Sequence, residues 1–244
     1  MTTAILSALP QEQAGLLQQL VAGQRTQHAG RTFWQGHLCN QPVVLALSGM
    51  GKVAAATTAT ALAAHFGVQR MLFTGVAGGI GPAVQVGDVV VAHDYVQHDM
   101  DASPLAPRWQ VPGYPAVRLS CDASLSALLQ QAAHSALAQT PQGTGQVHYG
   151  LVASGDQFVG SAAASHRLRT DLHSAGHPVL AVEMEGAAVA QVCHDYGLPF
   201  AAVRTISDRA DDEAHGDFLR FVDTVASPLA QRIVLQWLYL LSNK

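Results

Sequence analysis

The residues with the most chemistry to offer are carboxylates that close strand-like runs. Val182-Glu183-Met184-Glu185-Gly186 sets two acids beside an apolar segment, and Arg204-Thr205-Ile206-Ser207-Asp208 ends another such run, Phe200 to Ile206, on an acid. Glu12 follows the opening run Ala4-Ile5-Leu6-Ser7-Ala8-Leu9. In an open α/β sheet, ligands bind outside the carboxyl ends of strands. Acids arriving there from several strands therefore mark a candidate site. Cleaving a glycosidic bond builds positive charge on the sugar, and it needs an acid for the leaving group and a base on the opposite side. Three acids at three strand ends supply that inventory.

The elements that must position them follow from the apolar pattern. Strand-length runs at 4–9, 32–38, 43–47, 70–74, 88–93, 147–153, 178–183 and 200–206 alternate with helix-length segments at 11–21, 53–66, 123–138, 161–175, 185–196 and 217–241. This alternation predicts an α/β fold with a twisted mixed sheet flanked by helices. The close spacing around 31–47 predicts a hairpin, so the sheet is not purely parallel. Pro228 either kinks the last helix or opens a new one. No repeat, linker or low-complexity tract divides residues 1–244, which read as one domain. The segment Asp99 to Pro115, rich in proline, is the longest irregular stretch, and long loops inside compact domains are usually functional.

Composition narrows the function classes. Only 12% of the 244 residues are charged and the formal net charge is −4, so no basic patch points to a nucleic-acid partner. Cys39, Cys121 and Cys193 are widely spaced and match no zinc motif, which fits reduced thiols in a cytoplasmic protein. No signal-peptide pattern is visible at the N-terminus. No apolar run reaches the roughly eighteen residues of a membrane span.

Several local motifs have competing readings. Gly49-x-Gly51-x-x-Ala54 imitates a dinucleotide fingerprint, but the next strand ends in Phe73-Thr74-Gly75 and lacks the acid that would hold a ribose hydroxyl. No nicotinamide cofactor is expected. Gly75-Val76-Ala77-Gly78-Gly79 allows backbone to approach a ligand or simply to pack closely. Phe158, in Ser154-Gly155-Asp156-Gln157-Phe158-Val159-Gly160, could stack on a planar ring or fill a turn. His93, Asp94, His98, Asp99 and Asp101 match no metal-ligand spacing, so no metal is expected. Asp211, Asp212 and Glu213 read as a solvated loop. The segment Ile233-Val234-Leu235-Gln236-Trp237-Leu238 reads as a core or interface face of a helix.

Taken in order, Ala8-Leu9-x-x-Glu12, Ser48-Gly49-Met50-Gly51-Lys52, Gly75 to Gly79, Ser154 to Val159, Val182 to Gly186 and Arg204-x-Ile206-Ser207-Asp208 resemble the purine nucleoside phosphorylase/uridine phosphorylase superfamily. Within it they resemble the 5′-methylthioadenosine/S-adenosylhomocysteine nucleosidases over nearly the whole chain. The resemblance implies a cofactor-free enzyme that hydrolyses the N-glycosidic bond of an adenine nucleoside. Glu12 would activate water and Asp208 would protonate adenine N7. Glu185 would hold the ribose hydroxyls, with Met184 beside the sugar. Phe158 would stack on the base while the Val159 backbone reads its edge, and Arg204 would position the water and Glu12. Met50 and Phe218 would line the 5′ end, and Ala77 and Gly78 the floor. Glu183 and Ser207 complete the substrate-binding set. The resemblance further implies a homodimer in which the 99–115 loop completes the partner's site.

The chemistry of those roles stands on its own. A free aspartate titrates near ~3.9, so an Asp208 that donates a proton near neutrality needs burial or a neighbouring carboxylate. A carboxylate at Glu185 can accept two hydroxyl hydrogen bonds and stabilise charge on the sugar. A phosphorylase of the same superfamily is the nearest alternative, but phosphate needs cationic or backbone donors. The exit Leu9-Pro10-Gln11-Glu12 offers a carboxylate instead. A non-catalytic nucleoside binder is a further alternative, because fold alone does not fix function. Val76 stands where many of these nucleosidases carry serine. Together with Val96-Gln97-His98-Asp99 and Gly155-Asp156-Gln157-Phe158-Val159 it resembles the subgroup that also cleaves 6-amino-6-deoxyfutalosine, which leaves the 5′-substituent open.

Overall fold

The computed structural model describes residues 1–140, 145–211 and 221–243. Strands β1 (Thr3–Ser7), β4 (Gln41–Leu47), β5 (Arg70–Gly79) and β10 (Phe200–Asp208) run parallel as neighbours in the order β4-β1-β5-β10. Strands β2 (Val21–His28) and β3 (Arg31–Leu38) extend this sheet beyond β4 as antiparallel ribbons. On the other side, β10 pairs antiparallel with β6 (Val89–Gln97), which continues in parallel to β8 (Val147–Ser154) and β9 (Val179–Glu183). The two-residue β7 (Leu119–Ser120) adds to β6. The α/β mixed sheet predicted from the alternation is present.

Strand β5 organises the sheet. Its first half pairs with β1, from Thr3 against Arg70 to Leu6 against Phe73. At its end the same edge takes β9 instead, with Gly78 against Val182 and Gly79 against Ala181. The other edge holds β10 along its length. The circuit β5-β10-β6-β8-β9 therefore closes on itself, and β1 and β9 part where β5 changes neighbours. That divergence is a topological switch point, where an open sheet leaves a crevice.

Two helix layers cover the sheet. Helices α1 (Pro10–Gln18), α3 (Ala123–Ala138) and α6 (Ser227–Ser242) lie on one face, where Leu16, Leu129 and Trp237 pack on Ile5, Leu72 and Val203. The Trp237 indole also donates to the Leu125 carbonyl at 3.1 Å, which satisfies a buried polar group. On the other face, α2 (Lys52–His65) packs on α5 (Gly186–Tyr196). Both present alanines, such as Ala55, Ala59, Ala187 and Ala190, which let the helices sit close to Phe73 and Ala202. Helix α4 (Ala162–Ser174) borders β9 and begins at Ser161, whose hydroxyl accepts from the Ala164 amide.

Three expectations change. The segment Val21–His28 is a strand, and the helix expected over 11–21 stops at Gln18. This edge strand is polar and almost wholly exposed, so it carries no apolar alternation to reveal it, and such edges resist association with other chains. Strands β5 and β6 run past their expected ends to Gly79 and Gln97. The last helix, expected over 217–241, is described from Phe221: a π-helical turn at Val222–Ala226 leads into α6, with Pro228 in its first turn. The expected hairpin does form, turning at Cys39 and Asn40, both with positive φ. No helix among the described residues is long and apolar enough to cross a membrane.

Candidate active site

The carboxyl ends of β1, β5, β8, β9 and β10 surround a cavity of about 310 Å³ at the switch point. Glu12 reaches it from the first turn of α1, held there by backbone. Its Oε2 accepts from the Ala8 and Leu9 amides at 2.9 and 2.8 Å, and its Oε1 from the Val76 amide at 3.0 Å. Burial raises the Glu12 carboxyl above its ordinary pKa, opposed by these amides and by Arg204. A carboxylate made more basic by burial while its charge is held in place is suited to take a proton from water.

Arg204, only 1% exposed, enters from β10 and forms an ion pair with Glu183 at the end of β9. Its guanidinium also lies over the Phe73 ring, 4.0 Å from the centroid. Burial opposes its charge, but Glu183, then Tyr95, Glu185 and Glu12, raise its pKa above the ordinary value. Arg204 and Glu12 meet over Gly75. A β-carbon there would lie 2.5 Å from Arg204 Nη1 and 2.8 Å from Glu12 Oε1. The first glycine of Gly75 to Gly79 thus makes room for the two side chains.

Glu183 and Glu185 differ in their surroundings. Besides Arg204, Glu183 accepts from the Ser154 hydroxyl and from the Glu185 and Gly186 amides. It caps the first turn of α5, while Ser154 Oγ accepts from the Ala187 amide at 2.8 Å. Glu183 lines the cavity, but its oxygens are committed to the protein. Glu185 turns into the cavity and its Oε1 accepts from the Gly51 amide at 2.9 Å. Burial first, and then the Glu183 charge, push its pKa up to about 7, against the pull of Arg204 and the Gly51 amide.

Asp208 closes β10 on the far side. Its Oδ2 accepts from the Ser207 hydroxyl at 2.8 Å and its Oδ1 from the Ala210 amide at 2.7 Å. A β-carbon on Gly78 would approach Asp208 Oδ1 to 3.0 Å. Between this carboxyl and Glu12 lie Ala77 and Gly78 on β5, Met184 after β9, and Phe158 and Val159 after β8. Phe158 is 51% and Met50 67% exposed, so these two side chains stand at the mouth.

Twelve of the thirteen residues singled out from the sequence line this one cavity: Glu12, Met50, Ala77, Gly78, Phe158, Val159, Glu183, Met184, Glu185, Arg204, Ser207 and Asp208. Phe218 lies outside the described residues. Sequence reasoning missed the amides that hold the acids, and it missed Ser154. The signal for Ser154 was its place at a strand exit three residues before Gln157, a residue that lines the cavity. Of the His/Asp residues between positions 93 and 101, His93 Nδ1 lies 2.7 Å from Asp94 Oδ2, and Asp99 is paired with Lys52.

A closed mixed sheet with acids gathered at its switch point is the arrangement of a nucleoside-cleaving α/β enzyme, and relatives agree with that class. The phosphorylase superfamily model matches residues 2–238. The 5′-methylthioadenosine/S-adenosylhomocysteine nucleosidase of Mycobacterium bovis is 37% identical, covering 99% of this chain and 98% of that protein. Among solved structures, the S-adenosylhomocysteine nucleosidase of Streptococcus pyogenes, in complex with 5-methylthiotubericidin, matches with a TM-score of 0.89 at 35% identity, covering 99% of this chain and 97% of the other. The futalosine hydrolase of Helicobacter pylori matches with a TM-score of 0.85 at 33% identity and 97% coverage of both chains. The chain belongs to the phosphorylase superfamily, in its 5′-methylthioadenosine/S-adenosylhomocysteine nucleosidase branch.

The crowding over Gly75 makes a direct prediction. Gly75→Ala should push Arg204 and Glu12 apart, and a displacement of about 1 Å costs roughly 100-fold in turnover. Steady-state kinetics beside a circular dichroism spectrum checks this. Turnover within a factor of about three of the parent would show that the close approach is not needed.

Proposed function

We propose that residues 1–244 act as one catalytic unit that hydrolyses the N-glycosidic bond of 5′-methylthioadenosine and S-adenosylhomocysteine, releasing adenine and the 5′-substituted ribose. Asp208 gives a proton to N7 of the departing base. Glu12 takes one from the attacking water on the opposite side of the sugar, assisted by Arg204. Glu185 accepts hydrogen bonds from the ribose hydroxyls and faces the positive charge that develops on the ring. Phe158 lies against the base, and the Val159 backbone reads its edge. Atoms balance: water supplies hydroxide to the anomeric carbon and a proton to Glu12, while adenine leaves with the proton from Asp208.

One observation carries hydrolysis over phosphorolysis. Arg204 is the one cationic side chain among the described residues lining the cavity, and it is already paired with Glu183. Among the described residues, a phosphate there would meet Glu12, Glu185 and Asp208 without a free cation, and buried like charges repel strongly. Among the described residues Met50 is exposed at the mouth, which supports a choice of 5′-substituents that includes 6-amino-6-deoxyfutalosine.

Adenine release from 5′-methylthioadenosine is expected in phosphate-free buffer, with no acceleration on adding phosphate. Glu12→Gln and Asp208→Asn are each expected to slow it by about 10²–10⁴-fold. Release that requires phosphate would identify a phosphorylase, and near-parent rates in either variant would remove that residue from the mechanism.

The reading extends to a homodimer in which the 99–115 loop of each subunit closes the other's site. Trp109 is buried and roots this loop, while Leu105 near its crest is 92% exposed, which supports insertion into a second copy. Sedimentation should give a dimer, and Leu105→Asp should weaken the dimer and lower kcat/KM together. A fully active monomer would contradict it.

A further inference from the structure

A polar network beside the cavity is not used by any step above. Lys52, the first residue of α2, places Nζ 2.6 Å from Asp99 Oδ1 and 3.0 Å from Gln97 Oε1. The other Asp99 oxygen accepts from the Asp156 amide at 2.9 Å. Asp156 Oδ1 in turn accepts from the Lys52 amide at 2.7 Å. The three residues thus form a closed ring that joins the start of α2, the end of β6 and the loop after β8. Gln97 ties the ring to α5 through Gln191, 2.8 Å away.

The ring borders the ribose side of the cavity at one point. Gly51 precedes Lys52, has φ +93°, and donates its amide to Glu185 Oε1. Its α-carbon is hemmed in by the ring: a β-carbon there would lie 3.0 Å from Asp156 Oδ1. The first two amides of this helix start therefore face two carboxylates on different loops, Glu185 and Asp156, and Lys52 itself fixes the angle between them. Burial works against the Asp99 charge, but the Lys52 ammonium and the Asp156 amide more than offset it and hold its pKa below the ordinary value. Both side chains are mostly shielded from solvent, so screening is limited.

We propose that the Lys52–Asp99–Asp156 ring is a positioning device that orients the Gly51 amide on Glu185 and thereby sets the selectivity for a ribose hydroxyl. Lys52 and Asp99 touch no substrate; they act through Gly51. With one lone-pair direction of Glu185 occupied by a fixed amide, the carboxylate cannot rotate freely and its remaining lone pairs are aimed at the sugar. Opening the ring lets Gly51 and Glu185 drift, and the contact to the hydroxyl weakens while the base site and the acids stay in place. The inference rests on Glu185 as the ribose-binding group.

The test is a ratio: kcat/KM for 5′-methylthioadenosine divided by kcat/KM for its 3′-deoxy analogue. In Lys52→Met and in Asp99→Asn the ratio should fall by about fivefold, the factor that a hydrogen bond of ~1 kcal/mol represents. Lys52→Arg keeps the ion pair and should restore most of it. A merely structural ring would slow both substrates equally, so an unchanged ratio in folded variants overturns the proposal. If Lys52→Met does not fold, the isosteric Asp99→Asn decides alone. Glu185→Gln separates the two failures. If it leaves the parent ratio intact, the role of Glu185 is wrong and the ring proposal falls with it. If it abolishes the ratio while Asp99→Asn does not change it, only the ring proposal fails.

Discussion

A single buried arginine governs the charge balance of this protein's site. Glu183, Glu185 and Glu12 are all buried around Arg204. Four ionisable groups out of water would be intolerable without mutual compensation, because an uncompensated buried charge costs about 3–5 kcal/mol when its partner is removed. Arg204 distributes its charge unequally. Glu183 takes it directly as an ion pair, whereas Glu12 and Glu185 feel it at a distance and remain above their ordinary pKa values. The inequality sorts the carboxylates into a structural anchor, Glu183, and two groups, Glu12 and Glu185, whose proton affinity is raised above that of an ordinary carboxylate.

The backbone makes that gathering possible. Arg204 lies on β10 opposite Gly75 of β5, and Glu183 ends β9, so the ion pair bridges the two strands that flank the end of β5. Glu12 arrives from the first turn of α1, just where β1 leaves β5. Only a strand without a side chain at position 75 admits both groups over it. The sheet closure, the glycine and the charge pattern are thus one construction, and a change in any of them is felt by the other two.

Much of this was legible in the residues themselves. Acids at the ends of apolar runs are visible because a buried strand gives way abruptly to polar residues, and Glu12, Glu185 and Asp208 do line one cavity. The hairpin over 31–47 was legible from spacing alone. Other features had no local signature. Strand β2 is polar on both faces, so its pairing with β3 is decided by backbone hydrogen bonds and not by burial. Closure of the sheet depends on β9 and β10 meeting β5 across more than a hundred residues of sequence. Glu183 and Glu185 are two positions apart, and nothing in their order distinguishes the one that caps α5 from the one that faces the cavity. That distinction comes from Arg204 and Ser154 approaching one carboxylate and the Gly51 amide the other.

Glu185 is proposed to be kept in the site as a carboxyl that titrates near neutrality and to bind ribose as a carboxylate. Carbon-13 carboxyl NMR of protein labelled at glutamate, followed as a function of pH, tests it directly. One glutamate should titrate at about pH 7 and be missing from Glu185→Gln. If the ionised form accepts the ribose hydroxyl hydrogen bonds as proposed, affinity for a non-hydrolysable 5′-methylthioadenosine analogue should be full above that pH and decline as pH falls through it. A Glu185 carboxyl that titrates with solvated glutamates, near ~4.3, and analogue binding that is flat across neutrality would contradict the account.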